Sequence, residues 1–498
     1  MPRAGVREWF GLAALVLPVL LIAIDMTVLG FAVPALSEDL QPTGGQLLWI
    51  IDIYGFMLAG LLVTMGSLGD RIGRRRLLMI GAFGFGGASL LAAFSTSPEM
   101  LIAARALLGV AGATLMPSTM SLLRNMFLDQ QQRMVAVAVW ASAFSAGSAL
   151  GPIVGGWLLE HFHWGSVFLI NLPVMAVLLV ALPLLVRESR DPSPGPLDFA
   201  SVALSLLAML PAVYGIKKLA SDGIAPLPLA LLFFGLTAGL VFVRRQLRLE
   251  HPLIDIGLFR NRRFSVAIAT NFMLVFSMVS SLFFLTQYLQ LVLGISPMRA
   301  GFVLVPGLLL SIVAGFVAIR LVRGMGLTTV LLVGIGLIAV GYGVLVFTPV
   351  SGGAALVAFS FAALGTGVGL AETLTNSVVL STAPAERAGG ASAISETAYE
   401  LGGALGVALL GSVLTAAYSR GLADVPGVTG EAMSASRETL GAAATAAEAT
   451  EGDAGVALMD AAREAFTSSM HVTSAIAVVI VLGAGVMVAS VLRGRAHE

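Results

Sequence analysis

Apolar segments of about 20 residues recur from one end of this chain to the other, and each is long enough to cross a bilayer as a helix. Only 11% of the 498 residues are charged, whereas 57% are hydrophobic. A soluble protein of this length needs far more charge on its surface. The chain is therefore predicted to be an all-α integral membrane protein.

The positively charged residues indicate how the spans are oriented. Most of the 28 Lys and Arg fall in alternate loops, which are cytoplasmic if the N-terminus is cytoplasmic. This bias predicts an even number of spans, 14, with both termini in the cytoplasm. No cleavage site follows the first apolar segment, so that segment is expected to be an anchor rather than a removed signal peptide.

The fourteen spans divide into two groups of six and an inserted pair. Two six-helix bundles are predicted in residues 1–187 and 263–498, and residues 188–262 form a linker that carries two extra transmembrane helices. One long external segment, residues 421–466, precedes the last span. It is expected to be either a mobile solvated loop or a set of short amphipathic helices between 439 and 465.

Two glycine-rich signatures lie in the first bundle. The stretch GSLGDRIGRRR occupies residues 66–76 in a short basic loop, and GSALGPIVGG occupies residues 147–156 inside an apolar helix. A weak echo of the second signature, at Gly402–Gly406 and Gly411, lies in the fifth helix of the second bundle. Small residues at these spacings allow helix backbones to approach closely, and packing alone is the alternative explanation for each.

In order and spacing, the two signatures resemble those of the major facilitator superfamily, and the second resembles the motif of its proton-driven exporters. Further matches lie at residues 25–34, 49–54, 105–109, 164–173 and 395–402. The chain is similar to the 14-helix drug:proton antiporters, the quaternary-ammonium and fluoroquinolone efflux pumps of the QacA and LfrA type. The resemblance implies two six-helix bundles and export of bulky lipophilic cations in exchange for protons.

The resemblance also implies roles for the residues of both signatures. The first is expected to form an inner gate, in which Asp70 latches the bundles shut; its residues are Gly66, Asp70, Arg71, Gly73 and Arg74. The second is expected to form the antiporter helix, which can pivot against its neighbour; its residues are Gly147, Gly151, Pro152, Gly155 and Gly156. Some family members carry an extra carboxylate in span 10, where this chain offers only Ser311.

Ionisable residues inside the predicted spans are candidates for function, because a charge in the bilayer is costly. They are Asp25, Asp52, Glu372, Glu396, Glu400 and Arg105. Burial raises the pKa of a carboxyl group toward neutrality, whereas a nearby cation lowers it. A bound cation favours the ionised carboxylate, so cargo and proton compete for the same acids, and Arg105 is expected to tune them. The alternative for each residue is a purely structural hydrogen bond or ion pair.

Several functions are excluded or disfavoured by what the sequence lacks. The absence of cysteine excludes disulfides and thiolate chemistry, and five scattered histidines predict no metal or cofactor site. A net charge of zero gives no support for a nucleic-acid partner. The expected partners are small lipophilic cations, protons and membrane lipids, and the expected form is a monomer in the bacterial cytoplasmic membrane. Export of an endogenous lipid or metabolite stays open; an enzyme, a sensor and an uptake system are disfavoured.

Overall fold

The computed structural model describes residues 4–40, 42, 44–190, 198–222, 225–250, 252, 254–384, 388–450 and 452–493. Within these residues every regular element is helical, as the sequence predicts. The α-helices are α1 (Val6–Leu40), α2 (Gly44–Ile72), α3 (Arg74–Ala93), α4 (Pro98–Met126), α5 (Gln130–His161), α6 (Ser166–Leu169), α7 (Asn171–Leu185), α8 (Phe199–Asp222), α9 (Pro226–Gln246), α10 (Arg262–Gln287), α11 (Pro297–Met325), α12 (Leu327–Leu345), α13 (Ala354–Thr382), α14 (Ala388–Gly421), α15 (Gly430–Glu438), α16 (Leu440–Ala449) and α17 (Asp453–Arg493).

Twelve helical segments of the described chain are long and apolar enough to cross a membrane. Two predicted spans fall short of this criterion. The first is α2, which is bent by 53° between Ile53–Leu62 and Thr64–Ile72. The second is α8, whose apolar segment Ala200–Ile216 is shorter than the rest. The structure therefore gives a multi-pass membrane protein with about twelve clear spans.

The helices pack around two separate hydrophobic cores. The first core is built from α1 to α7, with Leu12 and Val186 at its limits in the sequence and Leu380 added from α13. The second is built from the helices that follow Arg262. Residues of α8 and α9 belong to neither of these cores and join a smaller cluster with α10, α13 and α14. The described chain thus has one core in each half and a separate helix pair.

The helix pair α8–α9 is held together at one end by a bidentate ion pair. Arg245 Nε and Nη2 donate to the two carboxylate oxygens of Asp198 at 2.9 and 3.0 Å. Hydrogen bonds from Arg245 and Ser201 hold the pKa of Asp198 well below its usual range. Because α8 also packs against both α2 and α14, the pair is fastened beside one helix from each core.

The segment 421–466, which was predicted to be external, is folded rather than open. It contains α15 and α16, and α17 begins at Asp453 instead of near residue 467. Tyr418 donates its hydroxyl hydrogen to the Ser436 carbonyl at 2.9 Å, and Leu440 and Leu458 are fully buried. The short-helix alternative therefore describes residues 421–466 better than a solvated loop, because their alanines and leucines bury against the end of α14 and α17.

Candidate functional site

An ion pair between Asp25 of α1 and Arg105 of α4 is buried in the first half of the chain. Arg105 Nη1 is 2.9 Å from Asp25 Oδ2, and both side chains are buried. Arg105 Nε donates to the Ile50 carbonyl at 3.2 Å, and the guanidinium lies 4.6 Å above the ring of Tyr54. One buried cation thus ties α1, α2 and α4 together and faces a buried carboxylate.

The Asp25–Arg105 pair and the residues that contact it form a first cluster, and Tyr54 extends this cluster toward the second half of the chain. Its side chain is buried, and it lies within electrostatic reach of Asp25, Arg105 and Glu400. Glu400 of α14 therefore approaches the Asp25–Arg105 pair from the other bundle. The backbone of Asp52 lies in α2 beside Tyr54, but its side chain lies outside the described residues, so its predicted role stays a prediction.

A second acidic cluster joins α13 to α14. Glu396 is only 3% exposed, and its Oε1 has no hydrogen-bond partner within the described residues. Glu372 and Glu400 are the charged groups that act on it. Glu372 Oε1 accepts a hydrogen bond from the Tyr399 hydroxyl at 3.2 Å. The three predicted acids of the second half are therefore brought together, with Glu400 lying toward the first cluster.

Neutral polar residues link this acidic cluster to α10. Asn271 Nδ2 donates to Asn376 Oδ1 at 2.9 Å and to Ser395 Oγ at 2.8 Å, while its Oδ1 accepts from the Thr375 hydroxyl. Asn376 Nδ2 in turn donates to the Tyr399 hydroxyl at 2.7 Å. These residues were not predicted as site residues, since single neutral polar or aromatic residues are common in spans. Only the packing of the three helices shows that they meet.

The predicted inner-gate residues lie at one end of the molecule, which we call the basic end after Arg71 and Arg74–Arg76. Arg74 Nε and Nη2 both approach Asp70 Oδ1 at 2.8 Å. Asp70 Oδ2 accepts a hydrogen bond from the backbone N–H of Gly390, in the first turn of α14, at 3.2 Å. Asp70 thus joins the two halves of the chain, at a helix start where unpaired N–H groups favour an anion.

The loop around Asp70 is held by a second carboxylate. Gly66 is buried in α2, and Gly73 has a φ of +110°, a conformation that only glycine adopts freely. A Cβ on Gly73 would meet the Glu188 carboxyl carbon at 2.7 Å. Glu188 accepts hydrogen bonds from the backbone N–H groups of Arg75 and Arg76, each at 3.0 Å, and so caps the start of α3. The segment after α7 therefore fixes the basic loop.

Three of the four glycines of the predicted antiporter motif face α1. A Cβ on Gly147 would fall on the Leu20 carbonyl, and one on Gly151 would fall on the Thr27 side chain. A Cβ on Gly155 would lie 3.3 Å from Val28, whereas one on Gly156 would meet nothing within 4 Å. The side chain of Pro152 lies outside the described residues. The same relation recurs in the second half, where Gly402 and Gly406 lie against the backbone of α10.

The sequence profile of the Major Facilitator Superfamily matches residues 15–407. The chain belongs to this superfamily. It is 49% identical to the multidrug efflux pump LfrA of Mycolicibacterium smegmatis over 99% of this chain and 97% of that protein. It is 36% identical to the methyl viologen resistance protein SmvA of Salmonella typhimurium, over 96% of this chain and 97% of that protein.

Solved structures show the same fold at low sequence identity. A bacterial homologue of the human lysosomal transporter Spinster, crystallised in an inward-facing and unoccupied conformation, superposes with a TM-score of 0.56 at 17% identity. The alignment covers 98% of each chain. The predicted major facilitator fold is thereby confirmed. The family match and the two relatives show that the chain is a multi-pass membrane transporter rather than an enzyme.

For this transporter we expect Gly147→Ala to impair both folding and export, whereas Gly156→Ala is tolerated. The new methyl group at Gly147 would displace the α1 backbone, which costs about 1–3 kcal/mol in a packed core. The control adds the same methyl group where space is free. Thermal unfolding of the two purified variants, with dye export in cells, checks this. Equal loss in both variants would show that close packing against α1 is not what Gly147 provides.

Proposed function

We propose that this transporter is a proton-driven antiporter that exports lipophilic cationic drugs, dyes and quaternary ammonium compounds from the bacterial cytoplasm. The observation that carries the proposal is the imbalance of buried charge. In the described spans, Asp25 and Glu400 both act on Tyr54, Glu396 is acted on by Glu400 and Glu372, and Arg105 is the one cation among these acids. A site with surplus carboxylates is complemented by protons or by a cationic cargo.

The names of the relatives support the same class of cargo. LfrA is a multidrug efflux pump, and SmvA confers resistance to methyl viologen, which is an organic dication. Both relatives align over nearly their whole length, so the two acidic clusters lie within the matched region. A cargo of one or two positive charges suits a site that contains several carboxylates.

Exchange follows from competition for these carboxylates. A cation bound near Asp25 or Glu396 favours the ionised acid, and a proton bound there removes the charge that holds the cation. One proton exchanged for one monovalent cation moves no net charge. A second proton adds about 2.3 kcal/mol of driving force per 100 mV of membrane potential.

We also propose that the chain has 14 spans as a monomer, with both termini and the basic end in the cytoplasm. Two observations support the count. The bent helix α2 reaches from Gly44 to Ile72, and α8 and α9 lie side by side as a hairpin whose ends meet at Asp198 and Arg245. With α2 and α8 added to the twelve clear spans, the count is even and most of the basic residues fall on one side. The proposed units stay 1–187, 188–262 and 263–498.

At the basic end we propose that Asp70 latches the two bundles together. We therefore expect Asp70→Asn to loosen this end, because the hydrogen bonds from Arg74 and from the Gly390 N–H lose their charge assistance. The chain has no cysteine, so a pair introduced at Arg124 and Pro384 supplies the sole thiols. These positions meet through an Arg124 Nη1 hydrogen bond to the Pro384 carbonyl at 2.9 Å.

Crosslinking of the two introduced cysteines by a bifunctional thiol reagent, which replaces the reach of the arginine side chain, should fall several-fold in the Asp70→Asn background. Glu8→Gln is the matched control, because Glu8 is a half-buried acid in the first turn of α1 that accepts a hydrogen bond from the nearby Gly5 N–H. Crosslinking that stays at the parental level in Asp70→Asn would mean that the loop only sets topology by its charge.

Cells that express the protein are expected to accumulate less ethidium while their proton gradient stands. Collapsing the gradient with a protonophore should restore accumulation to the level of cells without the protein. If accumulation is unchanged although the protein is present in the membrane, export of cationic dyes is contradicted, and a lipid or metabolite cargo is favoured instead.

A further inference from the structure

A chain of hydrogen bonds between neutral side chains ends on the Glu372 carboxylate. It runs from Asn271 to Asn376, from Asn376 to the Tyr399 hydroxyl, and from Tyr399 to Glu372 Oε1, with distances of 2.9, 2.7 and 3.2 Å. Each link donates its hydrogen toward the carboxylate. The series of hydrogen bonds therefore fixes the Tyr399 hydroxyl as a donor to Glu372.

The direction of the chain is set by the chemistry of its members. The Tyr399 hydroxyl has a single hydrogen, and because it accepts from Asn376 Nδ2, that hydrogen is left for Glu372. Asn271 and Ser395 both donate to Asn376 Oδ1 and so fix the orientation of the Asn376 amide group. Asn271 and Asn376 are completely buried and Ser395 is 1% exposed, so water does not replace these bonds.

A donor held in this way distinguishes the two states of the carboxyl group. A hydrogen bond to an ionised carboxylate is about twice as strong as one to a neutral acid. When Glu372 takes up a proton, it gains an O–H group that needs a hydrogen-bond acceptor. At the same time the Tyr399 hydroxyl loses its charged acceptor. This change affects the whole series of hydrogen bonds, to which α10, α13 and α14 each contribute a residue.

We propose that Tyr399 is a positioning residue for Glu372: its hydroxyl stabilises the ionised form of the carboxyl group and couples the protonation of Glu372 to the contact of α10, α13 and α14. This role rests on proton-driven export as proposed above. It gives Glu372 a function separate from that of the Asp25–Arg105 pair, because the partner that controls its charge is a neutral hydroxyl rather than a cation.

Few other titratable groups surround Glu372. From α14 these are Tyr399 and Glu396, and Glu400 acts on Glu396 in turn. The other helices that pack against α13 are α5, α10, α11 and α12. The interiors of these four helices contain no Asp, Glu, Lys, Arg or His. The interiors are residues 134–159, 264–287, 300–319 and 327–345. Tyr342 of α12 donates to the Ser277 carbonyl at 2.7 Å and bonds no carboxylate.

The test is ethidium binding to the purified protein, followed by fluorescence at a series of pH values, which requires no turnover. Tyr399→Phe should move the pH of half-maximal binding upward by about 1 unit, the size expected for the loss of one hydrogen bond. Tyr342→Phe is the matched control, because it deletes the hydroxyl of a buried tyrosine in the same bundle. Its profile should coincide with that of the parent.

A Glu372→Gln background separates positioning from structure. There, adding Tyr399→Phe should leave the pH profile unchanged, since the group on which Tyr399 acts no longer titrates. The proposal is overturned if Tyr399→Phe does not shift the parental profile, if Tyr342→Phe shifts it equally, or if Tyr399→Phe shifts the Glu372→Gln profile as well. A parent that binds no ethidium, or binds it equally at every pH, contradicts the proposed function itself.

Discussion

Asp25→Asn is expected to abolish export that depends on the proton gradient. Asparagine keeps the shape of the side chain and an acceptor for Arg105 Nη1, which lies 2.9 Å from Asp25 Oδ2, but it cannot bind and release a proton. Arg105 also keeps its bonds to the Ile50 carbonyl and the Tyr54 ring, so the variant should fold, with lower stability. The measurement is gradient-driven ethidium efflux, which appears as uptake into energised everted vesicles because their cytoplasmic face points outward, expressed per amount of folded protein.

The matched control for this variant is Asp25→Glu, which restores a titratable group one methylene longer. It should retain part of the gradient-driven efflux, whereas Asp25→Asn should match vesicles without the protein. Efflux by Asp25→Asn at the parental rate would remove Asp25 from the coupling mechanism and leave it a structural partner of Arg105.

Arg105→Met is expected to lower the free energy of unfolding by about 3–5 kcal/mol, because it leaves the Asp25 carboxylate buried without its cation. It should also stop export. Without the cation, the buried Asp25 is stable only in its protonated form and no longer releases its proton. Thermal unfolding in detergent measures the first effect and vesicle efflux measures the second.

The double variant Asp25→Asn with Arg105→Met separates the two effects. Replacing a whole buried ion pair by neutral groups is often close to neutral for stability. The double variant should therefore recover most of the stability that Arg105→Met loses, while export stays absent. If the double variant is as unstable as the sum of the single ones, the two side chains do not act as a pair.

The charged part of the site could be predicted from the sequence, whereas its polar part could not. Asp25, Arg105 and Glu396 stand out because charges inside apolar spans are rare. Tyr54, Asn271 and Tyr399 carry no such signal, because aromatic and neutral polar residues are frequent in spans and acquire their meaning through neighbours on other helices. The ion pair itself joins residues 80 positions apart, so only packing shows that it forms.

The fold was predictable where hydrophobic length decides it, and less so where packing does. The hydropathy pattern predicts neither the bend of 53° within α2 nor the early start of α17 at Asp453. The internal repeat is a clearer case. Gly147 against α1 and Gly402 against α10 are the same close approach in both halves, which the glycine pattern suggested and the backbone contacts show.

Proton movement caused by cargo is the most direct measure of the proposed antiport. The purified protein is placed in liposomes that contain a trapped pH-sensitive dye and an acidic interior, and ethidium is added outside. The account predicts that the internal pH rises as ethidium enters, and that neither change occurs with Asp25→Asn or in empty liposomes. Entry of ethidium with no change in internal pH, or with the same change in Asp25→Asn, would contradict proton-driven exchange.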